Sequence, residues 1–301
     1  MISGVINVYK EAGYTSHDVV ARLRRILHQK RIGHTGTLDP DAVGVLPVCL
    51  GKATKLVETL AEGTKTYETV LLLGKETDTQ DISGEVIREQ EVHCSEEEVK
   101  ACLPSFLGEQ DQIPPMYSAK KQNGKKLYEL AREGITVERK AARIRIEDLE
   151  VLDCFLPRIR LRITCSKGTY IRTLCHDIGQ KLGCGGCMVE LVRTRVGEFR
   201  IGQAWRLEEI RQKAEEGCLS DMVMPPEQFF LHLPAWRIQA ADALLHNGNA
   251  LPEELCPGEG GSGTEEKRRI YDSGGRFMGI YLYKPQKAAW FPVLFFYDQD
   301  T

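Results

Sequence analysis

Between positions 33 and 55 the chain reads GHTGTLDPDAVGVLPVCLGKATK. One carboxylate, Asp39, stands there in a loop of small, turn-forming and proline residues. Pro40 fixes its own φ and pushes Asp39 toward extended backbone. The glycines around it allow tight turns. A solvated surface aspartate needs none of this, whereas a carboxylate on a stiff loop can be aimed. An Asp-Pro pair alone often builds only an Asx-type turn; the density of the whole run sets this one apart. Two other residue types could work beside it. Tyr67, in KTYETVLLL, has a ring that can stack on a base and a phenol that can donate or accept a proton, though on its own it reads as an inward-facing aromatic of a strand. Arg172, in CSKGTYIRTLCHDIG, falls in the first turn of a predicted helix, where the helix dipole disfavours a cation. A buried carboxylate would explain that placement, and Asp39 is the obvious partner.

The elements that must position these residues are legible in outline. Residues 2 to 9 alternate as a first strand. Ser16 is the predicted N-cap of a helix reaching about Gln29, with Asp18 in its first turn. Val19, Val20, Leu23, Ile26 and Leu27 mark its buried face. VLPVCLG predicts a short apolar strand, 53–61 a helix, and 65–73 and 84–89 two strands. Ser95 and Glu98 form a capping box before a helix at 96–103. Residues 109–125 read as a long polar loop of the kind that carries function. A short helix near 126–133, the strands ARIRIEDLEVLDC and RIRLRITCS, a helix at 169–182 and the strand MVELVRTRVGEF follow. No βαβ repeat or glycine-rich nucleotide loop occurs. The order predicts an α+β fold around a mixed, mainly antiparallel central sheet with flanking helices. After an acidic helix at 207–216, Pro225, Pro226 and Pro234 place a domain boundary near 230. The division is therefore 1–230 and 231–301. The second part has a short helix at 239–246, the flexible run PGEGGSGTEE, and two strands, RRIYDSGGRFMGIYLY and WFPVLFFYD.

With 301 residues, 42% hydrophobic and 28% charged, the chain has the composition of a soluble globular protein. Its N-terminal MISGVINVYKEAGYTS is no secretory signal, and no apolar run is long enough to span a bilayer; a cytoplasmic protein is expected. Most of the ten cysteines lie singly in apolar patterns and behave as small hydrophobes. Cys184 and Cys187 form one C-x-x-C with no second pair at zinc spacing. No metal ligand cluster is expected, and neither a metal nor an organic cofactor. The net charge of −3 hides segregation: positions 20–35, 117–146 and 157–200 are strongly basic, while 76–98 and 208–227 are acidic. This fits either a basic face for a polyanion or a set of solvated faces.

The 33–55 run resembles the signature loop of the tRNA pseudouridine-55 synthases, the TruB family, over more than twenty nearly consecutive positions. Matching segments follow in the family's order along most of the chain. The resemblance implies the pseudouridine synthase fold, with Asp39 as catalytic nucleophile and Tyr67 as active-site tyrosine. It makes Arg172 the partner of the aspartate, Tyr170 a second aromatic, and Leu191 in VELVRTRVGEF the wall against the target base. It makes His34 the residue that stacks in the RNA loop when a base leaves. The lysines Lys120, Lys121, Lys125 and Lys126 of the basic loop at about 109–125 are expected to grip RNA. The D-x-x-G-x-F-M-G-I pattern from Asp272 to Ile280 resembles a small β-barrel RNA-binding module of the PUA type. One departure stands out: Glu11 follows Lys10 where the family has proline, in a motif that supports the active-site loop. The resemblance implies isomerisation of uridine 55 in the tRNA T-arm, by a monomer without an obligatory protein partner. Whether the aspartate attacks ribose C1′ or uracil C6 stays open. Two other readings are an RNA chaperone that helps tRNA fold, and the guide-RNA-dependent relative of ribosomal RNA. The latter is disfavoured by the pI of about 6.2 and the lack of lysine-rich tails.

Overall fold

The structure, a computed structural model, describes residues 1–118, 120–122, 124–239, 241–257 and 266–297, with the side chains of residues 121, 122 and 126 left aside. The first half contains β1 (Gly4–Lys10), α1 (Ser16–Ile26), β2 (Ile32–His34), β3 (Val43–Leu50), α2 (Val57–Ala61), β4 (Lys65–Leu73), β5 (Lys75–Thr77), β6 (Val86–Glu89), α3 (Glu96–Cys102) and β7 (Gly108–Gln112). The middle contains β8 (Lys121–Gln122), β9 (Lys125–Lys126), α4 (Leu127–Arg132), β10 (Ala142–Phe155), β11 (Arg158–Cys165), α5 (Ile171–Lys181), β12 (Gly186–Val196), β13 (Phe199–Arg200), α6 (Leu207–Glu215) and β14 (Val223–Met224). The C-terminal part contains β15 (Ala235–Arg237), α7 (Asp242–His246), β16 (Leu251–Pro252), β17 (Lys267–Tyr271), β18 (Phe277–Lys284) and β19 (Ala289–Phe295).

A large sheet runs β14-β1-β3-β12-β4-β11-β10-β7, with β2 on β3 and β13 on β12. Its two halves differ in how they meet water. On β1 and β3, Ile6, Val8, Leu46, Val48 and Leu50 face α1 and α6. The alternate residues Val5, Val45 and Cys49 face Phe199, Phe230 and, from the C-terminal part, Ile280 and Phe296. Covered on both faces, these strands read as continuous apolar runs. The other half is one-sided. Leu71, Ile159, Leu161 and Ile163 pack under α5 and α3, while Glu68 opposite meets Arg160 at 2.7 Å and Arg162 at 3.0 Å.

The halves join where β3 meets β12. The other pairings between named strands of this sheet, among the described residues, are antiparallel; this one is parallel and covers Val192↔Val43 and Arg193↔Gly44. So short a contact lets the strands part, and the loop of residues 35–42 fills the opening. Gly44 makes the contact possible. Its φ is +109° and a Cβ there would lie 2.2 Å from the carbonyl oxygen of Arg193. Gly44→Ala is expected to destabilise by about 3 kcal/mol, from left-handed strain plus displaced backbone. Urea unfolding of the variant measures this; a midpoint equal to the parent's would show that the strands can part at no cost.

Three expectations need correction. The N-cap of α1 is Thr15, in a capping box with Asp18, and Ser16 is the first helical residue. Its hydroxyl turns inward instead, as described below. The segment taken as a loop from 109 begins as an edge strand, because Gly108–Gln112 pairs with Ala142–Ile146. The described residues of the C-terminal part hold five strands in the order β15-β17-β18-β19-β16 rather than two. The turn Asp272–Arg276 folds RRIYDSGGRFMGIYLY into a hairpin. Most of the glycine-rich run, 258–265, lies outside the described residues.

Candidate active site

Asp39 sits in the opening, and three groups fix its loop. The Ser16 hydroxyl, fully buried, accepts the N–H of Leu38 at 2.9 Å. Gly13 N–H donates to the Pro40 carbonyl at 3.1 Å. Lys10, also fully buried, donates its ammonium to the carbonyls of Pro40 (2.8 Å), Ala42 (2.6 Å) and Glu11 (3.2 Å). The loop therefore stays fixed although Glu11 replaces proline.

Burial lowers Lys10 to about 8 from its usual 10.5. Between those values the unfolded chain holds the extra proton, so this group's contribution to stability rises with pH there. The three carbonyl bonds, however, use the ammonium form. Activity is expected to fall above pH 8 while the melting temperature does not fall with it. A parallel loss of both would show general unfolding instead.

Arg172 lies at the second position of α5, its side chain 6% exposed. Its Nε is 3.1 Å from Asp39 Oδ2, and its Nη2 is 3.4 Å from Asp39 Oδ1. Nη1 reaches Asp81 Oδ2 at 3.2 Å and the Thr79 carbonyl at 3.1 Å, and Nη2 also donates to the Tyr117 carbonyl at 2.8 Å. One guanidinium thus bridges two carboxylates. Burial pushes the Asp39 carboxyl above the usual carboxylate range; Arg172 pulls it down and Asp81 opposes. The side chain keeps 44% exposure, so it faces an entering molecule.

Two connected cavities flank this pair, of about 870 and 370 Å³. Thr37, Leu38, Asp39, Ser118, Arg172 and Leu191 line both. The smaller also holds Tyr67, Tyr170, Lys65, Lys120 and Arg193. Tyr67, on β4, is 7% exposed, and burial raises its phenol. Tyr170 caps α5, and its backbone is held by Gln112, which bonds its N–H at 2.8 Å and its carbonyl at 3.0 Å.

The structure thus brings together Asp39, Tyr67, Tyr170, Arg172 and Leu191. His34 lines neither cavity; it meets His17 edge-on at 5.2 Å, and burial lowers it to about 4, so it is neutral at physiological pH. Lys120 reaches the smaller cavity, Lys125 pairs with Glu133 at 3.5 Å, and the side chains of Lys121 and Lys126 lie outside the described residues. Sequence reasoning missed Asp81. Its signal was the polar turn TDTQD after a strand, which Ile82 N–H and Met188 O tie to β12 at 2.8 Å. The expectation of no ligand cluster also changes: Asp242, His246 and Asp272 lie close enough to share an ion. Arg276 bonds to two of the three, with Nε 2.9 Å from Asp272 Oδ2 and Nη2 3.4 Å from His246 Nε2.

A stiffly held carboxylate paired side-on with arginine, over an aromatic-lined cavity, suits covalent chemistry on a flat base. Residues 24–171 match the family model "TruB family pseudouridylate synthase (N terminal domain)", and residues 172–230 match "tRNA pseudouridylate synthase B C-terminal domain". The chain belongs to the TruB family. It is a pseudouridine synthase, an isomerase. Among TruB relatives, tRNA pseudouridine synthase B of Bacillus pumilus is 45% identical over 95% of each chain. That of Lachnoclostridium phytofermentans is 46% identical over 98% of this chain and all of its own. One chain of a solved H/ACA ribonucleoprotein bound to a substrate RNA containing 2′-deoxyuridine is similar in structure. It matches with a TM-score of 0.69 at 26% identity, over 99% of this chain and 86% of that one. The mixed sheet and the C-terminal sheet are both part of that likeness. No helix among the described residues is long and apolar enough to cross a membrane.

Proposed function

We propose that this enzyme converts uridine 55 in the T-arm of tRNA to pseudouridine, with Asp39 as covalent nucleophile. The observation that carries the reading is the Asp39–Arg172 pair at the mouth of a cavity of about 370 Å³ walled by Tyr67, Tyr170 and Leu191. A cavity of that size takes one nucleotide. A base inside a stacked loop reaches it only by flipping out. The flipped uracil stacks on Tyr67 and packs against Leu191. Arg172 holds Asp39 ionised while it attacks, and the neutral His34 ring fills the place the base leaves. Residues 1–230 form the catalytic domain and 231–301 an RNA-binding domain. Lys120 and its neighbouring lysines bind backbone phosphates. The tRNA in the relatives' name supports the choice of RNA.

The reaction is an isomerisation and consumes no redox or energy input. The test is incubation of the protein, without cofactor or guide RNA, with an unmodified T-arm stem-loop, followed by base-specific mapping of pseudouridine. Conversion at position 55 is expected; conversion elsewhere, or none without a guide, would overturn the assignment.

A further inference from the structure

Two buried cations line the smaller cavity without forming an ion pair among the described residues. Lys65, 6% exposed, donates to the carbonyls of Ala61 at 2.8 Å and Gly63 at 2.7 Å. An ammonium has three N–H donors, so one remains for the cavity. Arg193, 1% exposed, donates Nε to the Val45 carbonyl at 2.7 Å and Nη2 to the Gly36 carbonyl at 3.1 Å. Its Nη1 and the end of Lys65 converge behind Gly36. A Cβ on Gly36 would lie 3.5 Å from Nη1 and 3.8 Å from Lys65 Cε. Tyr67 is the cross-strand neighbour of Arg193, so the two charges lie beside the ring on which the base would stack. Burying even one unpaired cation costs several kcal/mol. Burial and the neighbouring Arg193 together lower Lys65 to about 8. Such a cost makes sense where an anion forms during the reaction.

We propose that Lys65 and Arg193 stabilise the negative charge that develops on the uracil as its bond to C1′ breaks. This rests on the base-pocket reading above. As the Asp39 carboxylate bonds to C1′, the C1′–N1 bond breaks with its electron pair staying on the uracil, whose charge spreads over N1, O2 and O4. The ring turns, C5 bonds to C1′ as the bond from C1′ to Asp39 breaks and returns the carboxylate, the C5 proton leaves and N1 takes a proton. Atoms and electrons balance with no oxidant or reductant. Asp39, Arg172, Lys65 and Arg193 all line the one cavity. Fixed cations in a water-poor cavity act most strongly on charge that appears only in the transition state.

The test is single-turnover kinetics at pH 7 on T-arm stem-loops carrying uridine or 5-fluorouridine at the target. It is followed as loss of the starting nucleoside, because fluorine cannot leave C5 as a proton does. Conversion of the uridine RNA by the parent protein checks the underlying reading separately; if that fails, the function proposed above is what falls. Lys65→Met is expected to slow the uridine reaction about a hundredfold, with RNA affinity within about threefold. On 5-fluorouridine, whose ring carries negative charge more readily, the penalty shrinks to about tenfold. Lys65→Arg, which keeps the charge, retains more than about a tenth of the parent rate. Should Lys65→Met not fold, Lys65→Gln keeps a donor without the charge and carries the same expectations. A folded charge-free variant within twofold of the parent rate, or one with equal penalties on both RNAs, overturns the proposal.

Discussion

Asp39→Asn is expected to abolish pseudouridine formation, by about four orders of magnitude or more, while leaving RNA affinity within about threefold. The amide keeps the shape of the carboxylate and one acceptor for Arg172, so the loop held by Ser16, Lys10 and Gly13 stays in place. It cannot form the covalent bond. Stability points the other way. Burial raises the Asp39 pKa above its unfolded value. Between those two values the folded chain holds more protons, so this group's contribution to stability is lost as pH rises toward neutrality. Removing the ionised group is therefore expected to leave the melting temperature equal or higher. A variant that is inactive, binds RNA and melts no lower identifies a residue kept for chemistry at the expense of stability. Retained conversion would remove Asp39 from the reaction. If the parent protein bound RNA and refolded it without converting it, the RNA-chaperone reading would take its place.

How much of this site was legible follows from what each residue depends on. Asp39 announced itself because a stiff turn writes its needs locally, in glycine and proline. Arg172 could be paired with it because a cation in the first turn of a helix is a local anomaly. The strands were readable where one face is wet, as in β10 and β11, and also where both are covered, as in β3. Asp81, Lys65 and Arg193 were not legible. Each acquires its role through contacts made across the sheet. Arg193 bonds to Val45, 148 residues away, and Asp81 meets Arg172 across 91 residues. Ser16 was misread for a related reason. Its hydroxyl suits an N-cap, but Thr15 serves α1, which frees Ser16 for Leu38. The C-terminal strands were undercounted because Asp272 to Arg276 reads as a glycine-rich interruption, whereas its backbone closes a hairpin.

Arg172→Met is expected to lower the rate about a thousandfold and to move the acid limb of the pH–rate profile upward. Both follow from the fork. The guanidinium spends Nε and Nη2 on Asp39 and Nη1 on Asp81. Without it, two carboxylates that now share a cation face each other across the space it leaves. Arg172 pulls the Asp39 pKa down and Asp81 pushes it up, so its loss leaves two upward influences, burial and repulsion. The fraction of Asp39 ionised at pH 7 then falls, and the residual activity recovers only at higher pH. Breaking a buried pair costs about 3 to 5 kcal/mol; the half-open position of Asp39 reduces this to about 2 to 3 kcal/mol here. Arg172→Lys separates charge from shape. One ammonium cannot satisfy Asp39, Asp81 and the carbonyls of Thr79 and Tyr117 at once. The lysine variant is therefore expected to keep an acid limb close to the parent's and still to turn over about a hundredfold more slowly. If both variants left the acid limb unmoved, Arg172 would not be what sets the charge on Asp39. If lysine matched the parent rate, the fork itself would be irrelevant, and only a nearby positive charge would matter.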